Sequence, residues 1–260
     1  MLYLHSAVII FAFMNLFFIL AITKRNNSIV DIGWGLGFIL VATYNLVVSD
    51  IINFRQILVS ILIILWGIRL SIYIFNRNKG KTEDFRYAKW RKEWGKHWLI
   101  RSYLQVFILQ GIMMFLIVYP VIMLRSNQGK NLSFLDVLGV IIWLTGFFFE
   151  SVADSQKDKF KKVPENKGKV MDSGVWKYSR HPNYFGESLM WWGIFVIMLS
   201  VNNGIFAIFS PIIITVLLTK VSGIPLIEKH HKSDPDYQEY IKTTSAFIPW
   251  KPKKEKGNSL

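Results

Sequence analysis

With 52% hydrophobic residues among 260 and a mean hydropathy of +0.32, the chain is too apolar to be a soluble domain of this length. Its net charge of +14 suggests a nucleic-acid partner at first sight, but the Lys and Arg residues are confined to loops between apolar runs, where they meet anionic lipid or an anionic cofactor. The absence of cysteine excludes disulfides, thiolate zinc sites and cysteine nucleophiles, and five scattered histidines do not make a metal centre.

Seven apolar segments approach the length that crosses a hydrocarbon core of about 30 Å. They run over Leu2–Ile22, Ile29–Val48, Ile57–Phe75, Tyr103–Leu124, Phe134–Ala153, Phe185–Val201 and Gly204–Ile224. The first has no basic leader or small-residue cleavage site and reads as a retained span. Backbone groups inside a bilayer must bond internally and no barrel alternation is present, so the expected fold is an all-α polytopic membrane bundle. Of the 31 Lys and Arg, Arg55, Arg125 and Lys130 fall on one side, Arg69 lies within a span, and the rest gather on the other side. That asymmetry predicts an outside N-terminus and a cytoplasmic C-terminus. No internal repeat or boundary splits off a soluble domain, so residues 1–250 read as one membrane domain and 251–260 as a disordered basic tail.

In chain order, the first candidate is Asp31, a carboxylate near the start of the second span, where it is either an interfacial cap or functional. Gly33, Gly35 and Gly37 follow without a preceding strand, which argues for close helix packing over a dinucleotide loop. Arg69, in the third span, must find a carboxylate, carbonyl or phosphate, or else snorkel. The next loop carries Glu83, Asp84, Arg86 and Tyr87, which either close over a site or stay solvated. Trp90, Trp94 and Trp98 recur every four residues, the pattern of one face of a surface helix. Gln110 and Pro120 in the fourth span offer little chemistry, and Pro120 kinks or ends it.

The fifth span ends with Glu150, Asp154, Lys157 and Lys161 along one helical side, either a salt-bridged helix end or the wall of a cofactor pocket. Ser173 to Gly193, SGVWKYSRHPNYFGESLMWWG, then sets Tyr178, Arg180, His181, Asn183, Tyr184 and Glu187 where the chain re-enters the membrane. A helix starting at Pro182 leaves free N–H groups in its first turn, which favours an anionic ligand, although aromatic and basic residues at that depth also make a plain interfacial anchor. Beyond the last span, Glu228, His230, His231, Tyr237 and Tyr240 fall in a short, mostly helical cytoplasmic region. The two adjacent histidines point in different directions, so at least one faces solvent.

The motifs DIGWGLGF, LWGIRL, the GKTEDFRY loop, GVWKYSRHPNYFGE with its WWG, and SGIPLIEK through SAFIPW resemble the steroid 5-alpha-reductase-like superfamily, and most closely a bacterial branch of unknown function. Sterol C14 reductases and isoprenylcysteine carboxyl methyltransferases share the RHPNY type of signature. The resemblance implies a cytoplasmic-membrane enzyme whose C-terminal part, 134–250, cradles NADPH on the cytoplasmic side while a lipophilic substrate enters among the N-terminal helices. Asn183 and Glu187 match the family's binding segment, and Arg180, His181 and Tyr184 match its sterol-reductase form. Glu150, Asp154 and Lys161 fall at the spacing of its cofactor contacts, Tyr178 adjoins them, and Glu228 and His231 stand near a further cofactor segment. Asp31 takes the place of the family's proton-handling Glu. Where the steroid enzymes have a catalytic Tyr three residues before the residue matching Arg69, this chain has Trp66, so a steroid substrate is not implied.

Reduction of an activated C=C bond needs a hydride donor and an acid on the conjugated carbonyl. Asp31 is the expected acid, with Tyr87 and Tyr184 in reserve. Arg180, Lys157, Lys161 and Lys177 are the expected partners of the cofactor phosphates. The rivals are an S-adenosylmethionine-dependent methyltransferase, which needs no intramembrane acid, and a non-catalytic lipid-binding protein in which Asp31 and Arg69 pair to hold the bundle. No obligate protein partner is expected.

Overall fold

Hydrocarbon leaves a backbone no partner but itself, and every long apolar stretch of this chain is accordingly helical. The computed structural model describes residues 1–126 and 132–253; Lys130 and the distal basic tail, 254–260, lie outside the described residues. Among the described residues there are no strands, and six helical runs are long and apolar enough to cross a membrane. The chain divides into two compact units, Met1–Ser133 with Met198–Ser210, and Phe134–Ile197 with Pro211–Leu260.

In the first unit, α1 (Leu2–Thr23), α2 (Ile29–Val47) and α3 (Phe54–Asn78) are followed by the short α4 (Phe85–Trp94) and α5 (Trp98–Ser102). A π-helical stretch, Tyr103–Ile108, leads into α6 (Leu109–Ile117) and α7 (Tyr119–Arg125). The expected single span Tyr103–Leu124 is thus two helices: the run beginning at Phe85 ends at Ile117, and Pro120 opens the next helix because its ring and missing N–H suit a first turn. The glycines of α2 serve packing. A Cβ on Gly35 would sit 2.5 Å from the Gly67 carbonyl oxygen of α3, and one on Gly67 would sit 2.8 Å from the Gly35 carbonyl oxygen, so the two backbones touch there.

In the second unit, α8 (Phe134–Lys162) crosses α9 (Pro182–Met198) through the same device. A Cβ on Gly146 would lie 2.5 Å from the Gly186 carbonyl oxygen and the reverse substitution 2.5 Å from that of Gly146. The unit continues through α10 (Phe209–Val216), a π-helical stretch Leu217–Val221, α11 (Ile224–His230) and α12 (Pro235–Thr243). The expected span outside those six, Phe185–Val201, is α9. At 17 residues, about 26 Å long, it is shorter than the six, because Pro182 fixes its start and Asn203, at φ 61, lies in the turn after its end.

Candidate functional site

Two buried polar clusters stand out, one in each unit. In the first, Asp31 sits in the first turn of α2 with its side chain 15% exposed. Its Oδ1 accepts a hydrogen bond from the Tyr87 hydroxyl at 2.6 Å and its Oδ2 accepts one from Arg86 Nη2 at 2.9 Å. Both partners come from the start of α4, which Asp84 caps by accepting from the Arg86 backbone N–H at 3.0 Å and from Arg86 Nε at 2.9 Å. Burial opposes ionisation of Asp84, but the hydrogen bonds and charge of Arg86 outweigh it and hold the carboxyl below its ordinary range.

The clasp continues outward. Glu83 accepts from the Asn27 backbone N–H at 2.7 Å and pairs with Arg91 at 2.7 Å, while Ser28 Oγ accepts from the Asp84 N–H at 2.7 Å. Gln110 Nε2, on α6, donates to the Tyr87 hydroxyl at 3.4 Å. These bonds fasten α4 over the α1–α2 corner, so the solvated-loop reading of Glu83 to Tyr87 does not hold.

The reserve donor Tyr87 is buried and in hydrogen-bond contact with the expected acid, and the cation on that acid is Arg86. Gln110, set aside from sequence, completes the arrangement. Trp66 is fully buried and packs edge-on against Phe38 at 5.2 Å, and the Arg69 guanidinium lies 5.6 Å from the centre of the Tyr73 ring. The tryptophan stripe is broken: Trp90 and Trp94 stack at 5.7 Å, but Gly95, at φ +49, interrupts the helix, and Trp98 receives the Arg91 guanidinium 4.2 Å from its ring centre.

The second cluster is built around Arg180, just before α9. Its Nη2 and Nε donate to Glu228 Oε1 of α11 at 2.5 and 3.1 Å, and its Nη1 donates to the carbonyls of Ile241, at 3.2 Å, and Thr244. Its backbone N–H donates to the Ser245 carbonyl at 2.8 Å. Arg180 therefore ties the start of α9 to α11 and to the end of α12. A guanidinium so engaged has little left for a phosphate, contrary to the role expected of it. The Tyr240 hydroxyl donates to the Trp176 carbonyl, the Ser179 hydroxyl to Phe247 O at 2.8 Å, and the Trp176 indole to Ala153 O at 3.0 Å.

Around this hub the predicted residues divide. His181 is buried, stacks on Tyr184 at 5.5 Å and 6°, and lies 3.7 Å from Glu228, an ion-pair distance too long for a hydrogen bond. Burial lowers its pKa below the ordinary histidine value, against the opposing pull of Glu228. Asn183 Nδ2 donates to Asp154 Oδ1 at 3.4 Å, and Glu150, Asp154 and Glu187 are all buried.

Lys161 and Tyr178 are exposed instead. The Tyr178 backbone is bonded on both sides, its N–H donating to the Val175 carbonyl at 3.2 Å and its carbonyl accepting from the Trp250 N–H at 2.9 Å. His231 turns to Asp234, at 3.4 Å, and stacks on Tyr237 at 4.7 Å. Lys157 covers the Trp176 ring at 4.5 Å. Tyr237, named from sequence beside Tyr240, is buried here, and burial followed by the Glu228 charge pushes its pKa up to about 12.

Among the described residues, three buried polar atoms of this cluster have no hydrogen-bond partner: His181 Nε2, Asn183 Oδ1 and the Tyr237 hydroxyl. A native fold seldom leaves such groups unsatisfied unless something else completes them.

An all-helical, polytopic membrane protein with a phenol–carboxylate pair in one unit and an arginine-centred polar cluster in the other is the class these observations define. A family model described as a protein of unknown function, DUF1295, matches residues 17–244, and the chain belongs to that family. It is also similar to 3-oxo-5-alpha-steroid 4-dehydrogenase 1 of Rattus norvegicus, 26% identical over 113 residues, which are 43% of this chain and 40% of that protein. The Bos taurus protein of the same name is 27% identical over 113 residues, again 43% and 40% of the two chains. An uncharacterized protein of Schizosaccharomyces pombe is 25% identical over 167 residues, 55% of this chain and 48% of the relative. The chain thus matches less than half the length of each of these relatives. Together the matches place it in the steroid 5-alpha-reductase-like superfamily. No solved structure matches it.

Proposed function

We propose that this protein is a membrane-embedded reductase that uses NADPH to reduce an activated C=C bond in a lipophilic sterol-, isoprenoid- or enone-like substrate, with its basic loops on the cytoplasmic face. The observation that carries the reading is the 2.6 Å hydrogen bond between Tyr87 and Asp31. Such a pair, within an apolar bundle, is a proton-handling device, and conjugate reduction needs one at the substrate carbonyl. Tyr87 is the group that would face that carbonyl, Asp31 would exchange the proton with it, and Arg86 and Gln110 would hold the two in register.

The second cluster fits a nicotinamide dinucleotide. The unsatisfied Asn183 Oδ1 and His181 Nε2 suit the carboxamide and ribose hydroxyls, and the buried carboxylates Glu150, Asp154 and Glu187 suit the donor groups of such a ligand. Lys157, over the Trp176 ring, is the cation this reading assigns to a phosphate, with Arg180 holding the helices together. When bound, NADPH supplies the hydride. Methyl transfer from S-adenosylmethionine would leave the Tyr87–Asp31 pair without a task, which is why it ranks second.

The test is nucleotide identification in the detergent-purified protein, together with NADPH oxidation followed by absorbance on adding enone, quinone-like and sterol lipids. Co-purified S-adenosylhomocysteine with no oxidation of NADPH by any lipid would overturn the reading.

A further inference from the structure

One face of α4 holds Tyr87 and Arg86 against Asp31; the opposite face has no task in that chemistry. Phe85, Lys89 and Lys92 follow one another at steps of four and three residues, so they share an outward stripe, and all three are exposed. Lys96 and Arg101, just beyond, are exposed too. The exposed acid of this helix, Glu93, pairs with Lys89 at 3.8 Å. Immediately afterwards the surface turns apolar: Leu99, Ile100 and Leu104 are 44%, 54% and 51% exposed.

The helical run from Phe85 to Ile117 has 33 residues. As a straight helix it would be about 50 Å long, well beyond a hydrocarbon core of about 30 Å, so its first part must lie outside the core. The positive φ of Gly95 breaks the helix at the point where it would leave, which lets α4 take a direction of its own. A basic stripe whose neighbours along the chain become apolar within one or two turns sits at headgroup depth.

We propose that the outward face of α4 and the turn after it, Lys89, Lys92, Lys96 and Arg101, is a binding surface for the headgroups of anionic phospholipid. The inference does not depend on the reductase reading. Each basic residue at a charged bilayer surface is worth roughly a fivefold preference at most. Because Arg86 and Tyr87 stand on the same ten-residue helix, lipid held there would steady the clasp on Asp31.

The natural lack of cysteine permits a clean label. The full chain with Ala88→Cys, carrying a fluorophore, is placed in nanodiscs holding equal fractions of nitroxide-labelled phosphatidylglycerol or phosphatidylcholine. The anionic lipid is expected to quench several-fold more strongly, and Lys89→Gln/Lys92→Gln/Lys96→Gln to remove most of that difference while thermal unfolding stays that of the parent. Equal quenching by the two lipids in the parent, or an undiminished difference in the triple variant, overturns the proposal. If the triple variant unfolds early, the single Lys92→Gln change, expected to lower the preference roughly fivefold at most, decides in its place.

Discussion

The Tyr87 hydroxyl and Asp31 Oδ1 stand 2.6 Å apart although 56 positions separate them in the chain. Asp31 enters the bundle at the start of α2 and Tyr87 arrives from α4, held there by the Asp84 cap and the Glu83–Arg91 pair. If the pair handles the substrate proton, Tyr87→Phe and Asp31→Asn should each lower kcat by about 10²–10⁴ with a smaller change in KM. Stopped-flow NADPH oxidation with an active lipid enone measures this. A lowered melting temperature with kcat intact would make the pair structural.

Arg180 and Glu228 join the start of α9 to α11 through two hydrogen bonds to one carboxylate oxygen. Glu228→Ala leaves a buried guanidinium with only carbonyl partners. The full cost of breaking a buried pair is about 3–5 kcal/mol, and because Glu228 is 27% exposed a loss of about 2 kcal/mol is the expected outcome. Thermal unfolding in detergent measures it. Lys242→Ala, which removes the exposed pair with Glu239, should change stability by well under about 1 kcal/mol.

Gly146 and Gly186 bring the α8 and α9 backbones into contact. Gly186→Ala would set a methyl 2.5 Å from the Glu150 backbone nitrogen and 2.5 Å from the Gly146 carbonyl oxygen. Neither neighbour is a flexible side-chain tip, so the helices must separate, at a cost of about 1–3 kcal/mol. The shift would also move Glu150 and Asn183; if this cluster holds the nucleotide as proposed, nucleotide affinity should fall along with the melting temperature, both measured in detergent.

Burial lowers the pKa of His181, against the pull of Glu228. A group with a depressed folded pKa binds protons first in the unfolded chain, so stability falls as pH drops below the ordinary histidine value of about 6.5 and continues to fall until the folded pKa is reached. The melting temperature should therefore decline through mildly acidic pH. His181→Gln, which cannot titrate, should flatten that part of the profile relative to the parent.

The long helices were legible in the sequence because hydrocarbon forces each apolar run to bond its own backbone, and length alone then marks a span. Gly33, Gly35 and Gly37 announced close packing for the same reason, since small residues are what lets membrane helices approach. The RHPNYFGE segment located the second cluster, and Asp31 the first. What the sequence could not decide is how donors and acceptors are shared out. Whether Arg180 faces a ligand or the carbonyls of Ile241 and Thr244, and which cation meets Asp31, depends on contacts made across about 50 to 65 positions, and these exist only once packing has fixed the distances. The break at Gly95 likewise follows from a positive φ that apolar periodicity does not encode.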